Sequence, residues 1–136
     1  MAIFIGTLGN DDLVGTSGDD AIYGYDPADP ANTDGGNDRL SGLDSVAAGR
    51  DTIDDFQQGA DHVDLAAIDA DTSAAGDQAF SFIGSAAFSH AAAQLRQTGD
   101  GAGNTVIEGD IQGDGVGDFQ ILLKGAYALQ GADFIL

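Results

Sequence analysis

The residues of this chain best suited to chemistry are its aspartates. Asp11, Asp20, Asp29 and Asp38 recur every nine positions, and a glycine (Gly9, Gly18, Gly36) stands two residues before three of them. Asn10, Asp19 and Asn37 precede Asp11, Asp20 and Asp38 directly, so each turn brings two oxygen-bearing side chains as well as its carbonyls. An all-oxygen, irregular donor set of this kind suits Ca²⁺, which accepts six to eight ligands, better than the strictly octahedral Mg²⁺. The charge agrees. Lys and Arg number 4 against 23 Asp and Glu, for a net charge of -19, and Glu108 is the only Glu. Asp is the acid of loops and turns, so the negative charge is held in turns and not on a solvated helix face. Two carboxylates about 4 Å apart repel by roughly 1 kcal/mol in water and about 4 kcal/mol near a protein surface. A counter-cation reverses that sign. Composition alone fits equally well a soluble or halophilic acidic surface. It excludes nucleic acid as a partner, because four scattered basic residues cannot neutralise phosphates.

The elements that must position these oxygens follow from the same period. Gly6-Thr-Leu-Gly9-Asn-Asp11-Asp-Leu13-Val is followed directly by Gly15-Thr-Ser-Gly18-Asp-Asp20-Ala-Ile22-Tyr. A degraded unit, 24–32, keeps the phase with Pro27 in place of the second glycine, and 33–41 repeats the pattern with Gly36, Asp38 and Leu40. The units match G-G-x-G-x-D-x-U-x, the calcium repeat of RTX proteins. Six residues form a turn in which glycine adopts backbone angles closed to other residues. Three more form a short strand with its aliphatic side chain facing a narrow core. Two units complete one coil of a right-handed parallel β-roll, so loops two units apart are expected to stack, 6–11 on 24–29 and 15–20 on 33–38. The first gap would draw on Gly6, Leu8, Asn10, Asp11 and Asp29. The second, with the better consensus, would draw on Gly15, Ser17, Asp19, Asp20, Asp34, Gly36, Asn37 and Asp38.

After Leu40 the texture changes. The segments 51–65, Ala79-Phe-Ser-Phe-Ile-Gly84, Gln94-Leu-Arg96, 108–119 and Ala132-Asp-Phe-Ile-Leu136, taken with the repeats, resemble the C-terminal RTX domain of serralysin-type metalloproteases from Gly6 to Leu136. The resemblance implies an all-β fold in which the calcium-loaded roll (1–50) continues into a twisted antiparallel, sandwich-like β region (51–136) of one continuous domain. It implies further calcium near the start of the second region, with Asp44, Asp51 and Asp61 as the corresponding carboxylates. Thr7 and Thr16 replace glycine at the second repeat position, and Pro27 spoils the third unit, which weakens the first gap. Asp110-Ile-Gln112-Gly-Asp114-Gly115-Val-Gly-Asp118 resembles the front half of an EF-hand loop, with Ile121 where the bidentate Glu belongs. It reads either as a calcium loop or as an acidic hairpin turn between strands near 105–109 and 119–124. The terminal Asp133-Phe-Ile-Leu136 resembles the signal by which the family engages an ABC-type (type I) exporter, which implies a secreted, extracellular protein.

Catalysis is not expected. The family's proteases hold zinc through H-E-x-x-H-x-x-G-x-x-H, whereas His62 and His90 are the only histidines here and neither begins that pattern. Both read as structural. With no cysteine, disulfides and thiolate metal sites are unavailable to the fold. No stretch approaches a membrane span and the first residues lack the features of a signal peptide. Two functions compete: a calcium-dependent folding and secretion module of an exported protein, expected to be monomeric, or a calcium-dependent module that binds a polysaccharide or cell surface. The absence of Trp and the presence of only Tyr23, Tyr25 and Tyr127 favour the first.

Overall fold

The computed structural model describes residues 2–5, 12–14, 20–23, 39–41 and 50–136; of 12, 20–23 and 39–41 the backbone alone is described. Successive strands alternate between two sheets up to residue 64. In the first sheet lie β1 (Ala2–Ile5), β3 (Asp20–Tyr23) and β5 (Asp51–Ile53); in the second lie β2 (Asp12–Val14), β4 (Arg39–Ser41) and β6 (His62–Asp64). All of these pair in parallel with their sheet neighbours. A parallel pair needs a crossover, and here each crossover passes through the opposite sheet, which is what makes a roll.

The register departs from expectation at one place. β1 and β3 pair at a separation of two repeat units, Phe4 opposite Ile22, as one coil requires. β2 and β4 pair at a separation of three, Leu13 opposite Leu40. One unit more lies between them than a coil needs, and β4 stands in the sheet of β2 instead of that of β3. The physical reason is legible in unit 24–32, whose strand positions are Pro30-Ala31-Asn32: proline donates no ladder hydrogen bond and alanine offers a methyl where Leu13 and Ile22 offer a branched chain. The strand that follows 33–38 therefore shares a sheet with the strand that follows 6–11, and the expected stacking of 15–20 on 33–38 does not follow the strands. The turns themselves lie outside the described residues.

Both sheets run on through residue 50. The first continues from β5 to β10 (Phe119–Leu123), then β9 (Thr105–Asp110), β8 (Gln94–Gly99) and β7 (Ser81–Phe82), giving seven strands. β9 runs antiparallel to both β8 and β10, the expected texture of the second region. The second sheet gains only β11 (Phe134–Ile135), parallel to β6 and preceded by a 3₁₀ turn, Gly131–Asp133. Two apolar rows face each other across the sandwich. In one, Ile53 of β5, paired with Leu123 of β10, is fully buried; in the other, Val63 is fully buried and stands in register between Leu40 and Phe134. Phe80 against Phe119, Phe82 against Phe134 and Phe56 against Tyr127 fill the space between the sheets. Gly109 makes one of these fits possible: it lies opposite Phe119, and a Cβ there would stand 2.2 Å from the phenyl ring.

The outer face of the larger sheet carries the chain's single glutamate in a cross-strand row. Glu108 accepts from Arg96 of β8 (2.8 Å) and from the Gln120 amide of β10 (2.6 Å); Gln120 in turn accepts from Arg50. Arg96 stacks 4.6 Å from the centre of the Phe88 ring. Opposite charges facing each other on antiparallel neighbours stabilise the pairing by a few tenths to about 1 kcal/mol.

Candidate calcium-binding site

Gly6, Leu8, Asn10, Asp11, Gly15, Ser17, Asp19, Asp29, Asp34, Gly36, Asn37, Asp38 and Asp44 lie outside the described residues, and Asp20 is described only as the first backbone position of β3. Two of the carboxylates implied by family resemblance are visible. Asp51 opens β5, fully buried and in register with Ile121. Asp61 sits at the end of the turn from β5 to β6, 4% exposed, and its Oδ2 accepts the N–H of Gln57 at 2.8 Å. Among the described residues no three acidic or histidine side chains converge as metal ligands. By sequence alone, the nine-residue repeats carry oxygen donors suited to a hard cation, with acidic and amide side chains in the fifth and sixth places.

The loop 110–118 is built differently. Both oxygens of the buried Asp110 carboxylate accept backbone N–H groups of the loop it begins, Gly113 at 2.6 Å and Gly115 at 2.8 Å. Asp118 closes the loop from its other end, accepting from the N–H of Ile111 and Gln112 and from the Gln112 side chain. Asp114 caps the N–H of Val116. Gly113 and Gly115 hold φ of 72° and 85°, and neither has room for a side chain: a Cβ would meet the Ala92 backbone at 2.7 Å and the His90 ring at 2.5 Å. His90 reaches over from the segment before β8, with Nδ1 2.8 Å from the Asp114 carbonyl, so that nitrogen carries the proton in this contact. His90 itself and Ala93 adopt left-handed φ of 63° and 64°, a strained choice held by that packing. His62, on β6, is half-buried.

Sequence reasoning passed over several polar groups because they carry no repeat or motif. Asp100 closes the β8–β9 hairpin by accepting from the Asn104 amide and from the N–H groups of Ala102 and Asn104, and these bonds, the Asn104 side chain first, hold its carboxyl at a pKa of about 2. Tyr127 donates to the Phe56 carbonyl at 2.6 Å; burial first, then the charges of Asp55 and Asp61, push its phenol upward. Gln58 bridges the Ala128 carbonyl and Asp133. A signal for the hairpin was present in Asp100-Gly101, a turn dipeptide; for Gln58 there was none.

A cavity of about 540 Å³, open to solvent, is lined by Ser85, Gln97, Asn104 and Tyr127 among others. Its two amides and its phenol already bond within the protein: Gln97 to the Tyr127 carbonyl and Leu129 N–H, Asn104 to Gly125 and Asp100, Tyr127 to Phe56.

Parallel strands laid down alternately in two sheets from glycine–aspartate repeats of nine residues define the class: an RTX-type β-roll. The chain belongs to the Peptidase M10 serralysin C-terminal family, whose model matches residues 2–136. It is accordingly a calcium-binding repeat module, the non-catalytic domain of that family. A solved structure with similarity to it is the solution structure of the AlgE6R3 subunit from the Azotobacter vinelandii mannuronan C5-epimerase, at 22% identity, covering 98% of this chain and 77% of that one, with a TM-score of 0.43. No curated protein matches. No helix among the described residues is long and apolar enough to cross a membrane.

Proposed function

We propose that this module folds when it meets calcium outside the cell and thereby serves type I secretion and stabilisation of an exported protein. The observation that carries the proposal is the phase of the acidic turns: Asp11, Asp20, Asp29 and Asp38 keep a nine-residue spacing, and the strands that these turns join form a parallel coil. Closing the roll would draw many carboxylates onto its edges, which is unfavourable until a divalent cation neutralises them. The ligands proposed are those of the turns, with Asp44, Asp51 and Asp61 at the junction with the second region. For the loop 110–118 we favour the acidic hairpin, since Asp110 and Asp118 already serve its N–H groups. A site with a dissociation constant of about 10⁻⁴ M, the weak end for extracellular modules, adds roughly 1.4 kcal/mol of stability per ion at about 1 mM calcium. At cytosolic calcium it adds almost nothing.

Circular dichroism and thermal melting in calcium and in excess EGTA test the folding reading. A β signal that appears only with calcium supports it, and an unchanged spectrum and melting temperature in EGTA would refute it. The secretion reading has its own test: a short polar tag appended after Leu136 is expected to leave the calcium-refolded spectrum intact and to cut export through a co-expressed type I exporter sharply. Export of the tagged chain at the untagged level would remove the terminus from the mechanism.

A further inference from the structure

The chain carries 23 acidic residues and a net charge of -19, yet the cavity of about 540 Å³ is lined by none of them. It opens to solvent between the β8–β9 hairpin, the turn after β7 and the segment after β10, and its volume is in the range of small-molecule sites, about 300–1,000 Å³. No basic residue lines it either. Its side-chain chemistry is the hydroxyls of Ser85, Thr98 and Thr105, the amides of Gln97 and Asn104, and the Tyr127 ring; glycine and one alanine make up the remainder.

The walls are fixed from behind. Gln97 donates through Nε2 to the Tyr127 carbonyl at 3.1 Å and accepts from the Leu129 N–H at 2.6 Å. Asn104 accepts from the Gly125 N–H at 3.1 Å and donates through Nδ2 to Asp100 at 2.7 Å. A primary amide has two N–H donors and a carbonyl with two lone pairs, so each of these side chains keeps one N–H and one lone pair after its internal bonds are made. The Tyr127 phenol is anchored on the Phe56 carbonyl, with the two rings edge to face. The Ser85 and Thr98 hydroxyls have no hydrogen-bond partner among the described residues. Held amides beside unspent hydroxyls form an array that loses little freedom on binding.

This lining selects by chemistry. A phosphate or carboxylate finds no cation here, and the net charge of the chain repels it. A cationic amine finds no carboxylate on the lining, since Asp100 turns its oxygens to Ala102 and Asn104. An acyl chain finds no aliphatic side chain larger than alanine. What matches is a ring bearing several hydroxyls, each able to donate and accept at once, whose C–H face rests on an aromatic side chain.

We infer that this cavity binds an uncharged polyhydroxylated ligand, a neutral hexose or the end of a neutral glycan, with Ser85, Gln97, Thr98 and Asn104 supplying the hydrogen bonds and Tyr127 the platform. The inference stands apart from the calcium reading, because every lining residue belongs to 85–127, beyond the repeats.

Proton–nitrogen correlation NMR of the full chain in saturating calcium tests it. The neutral probes are the methyl glycosides of glucose, galactose and mannose, with maltose and lactose standing in for a glycan end; glucuronate and glucosamine are the charged ones. A solvent-open site is expected to hold a monosaccharide with a dissociation constant on the order of 1 mM, so each probe is titrated to about 50 mM. At least one neutral probe should shift the side-chain amide signals of Gln97 and Asn104 and the backbone signals of Gly101 and Gly103 along one saturable curve, and neither charged probe should do so. Tighter binding of a disaccharide than of its monosaccharide assigns the site to a glycan end, and equal binding assigns it to the single sugar. Thr98→Val and Ser85→Ala remove hydroxyls that hold nothing in the protein, so each should weaken binding severalfold with an unchanged circular dichroism spectrum, and Thr98→Ser should bind like the parent. The absence of saturable shifts at these residues with every neutral probe overturns the inference. So does a charged probe that binds as tightly as the best neutral one, or a folded Ser85→Ala, Thr98→Val double variant that binds like the parent.

Discussion

At the scale of the residue, the difference between a ligand and a structural carboxylate lies in what its oxygens already accept. Asp110 is buried and takes two N–H groups, so we expect Asp110→Asn, which keeps the shape but turns an amide N–H₂ toward a backbone donor, to cost about 1.5–3 kcal/mol. Denaturation in saturating calcium measures the loss, and the number of calcium ions bound should stay unchanged; a drop by one ion would make the loop a site. Asp100 supplies a pH test. Its folded pKa of about 2 lies below the ordinary 3.8, so its contribution is fully present above the ordinary value and disappears as pH falls from there through about 2. Asp100→Asn should flatten that part of the stability profile by lowering stability at neutral pH, with its difference from the parent vanishing as pH falls to about 2. Acid titration of the melting temperature of both proteins reads this directly.

At the scale of the element, the strands beyond the roll are chosen by shape as much as by alternation. β9 is buried along its whole length, yet it carries Gly109 where the alternation from Ile107 would put a larger apolar residue. Gly109 is there for the Phe119 ring. Gly109→Ala forces the phenyl away from its position against Phe80 and is expected to cost about 1–3 kcal/mol, the usual range for overpacking a core. Denaturant midpoints of the variant and parent measure it, and an unchanged midpoint would show that the ring moves aside freely. The terminal part of the second region is pinned by Tyr127, whose raised phenol pKa means that its contribution persists up to the ordinary value near 10 and is lost as pH climbs through the higher folded value. Tyr127→Phe should remove that alkaline loss along with the bond to Phe56.

At the scale of the whole molecule, the roll and the second region are one pair of sheets, so a cation bound in the repeats would stabilise both. The strand register weights the repeats unequally. Asp38 belongs to a turn of good consensus leading into β4, whereas Asp29 belongs to a unit with prolines at 27 and 30, the extra unit between β2 and β4. Asp38→Ala is therefore expected to raise the calcium midpoint of folding more than Asp29→Ala, and equal midpoints by circular dichroism would count against the register.

The sequence by itself determined the period of the turns, their oxygen chemistry, the β class, the aliphatic position of each unit, the alternating strand 119–123 and the absence of a zinc motif. These are legible because a repeat writes its local geometry into every copy: glycine where φ must be unusual, aspartate at the turn, a branched chain at the strand. Tertiary structure alone decided that β2 pairs with β4 and skips a unit, that β5 pairs with the distant β10, and that β11 crosses to the second sheet. It also decided that Asp110 serves its own loop and that Gln58 holds Asp133. Such choices are made by closure of the core and by which buried polar group finds a partner, and most of the residues involved lie too far apart in the chain for any local spacing to record them.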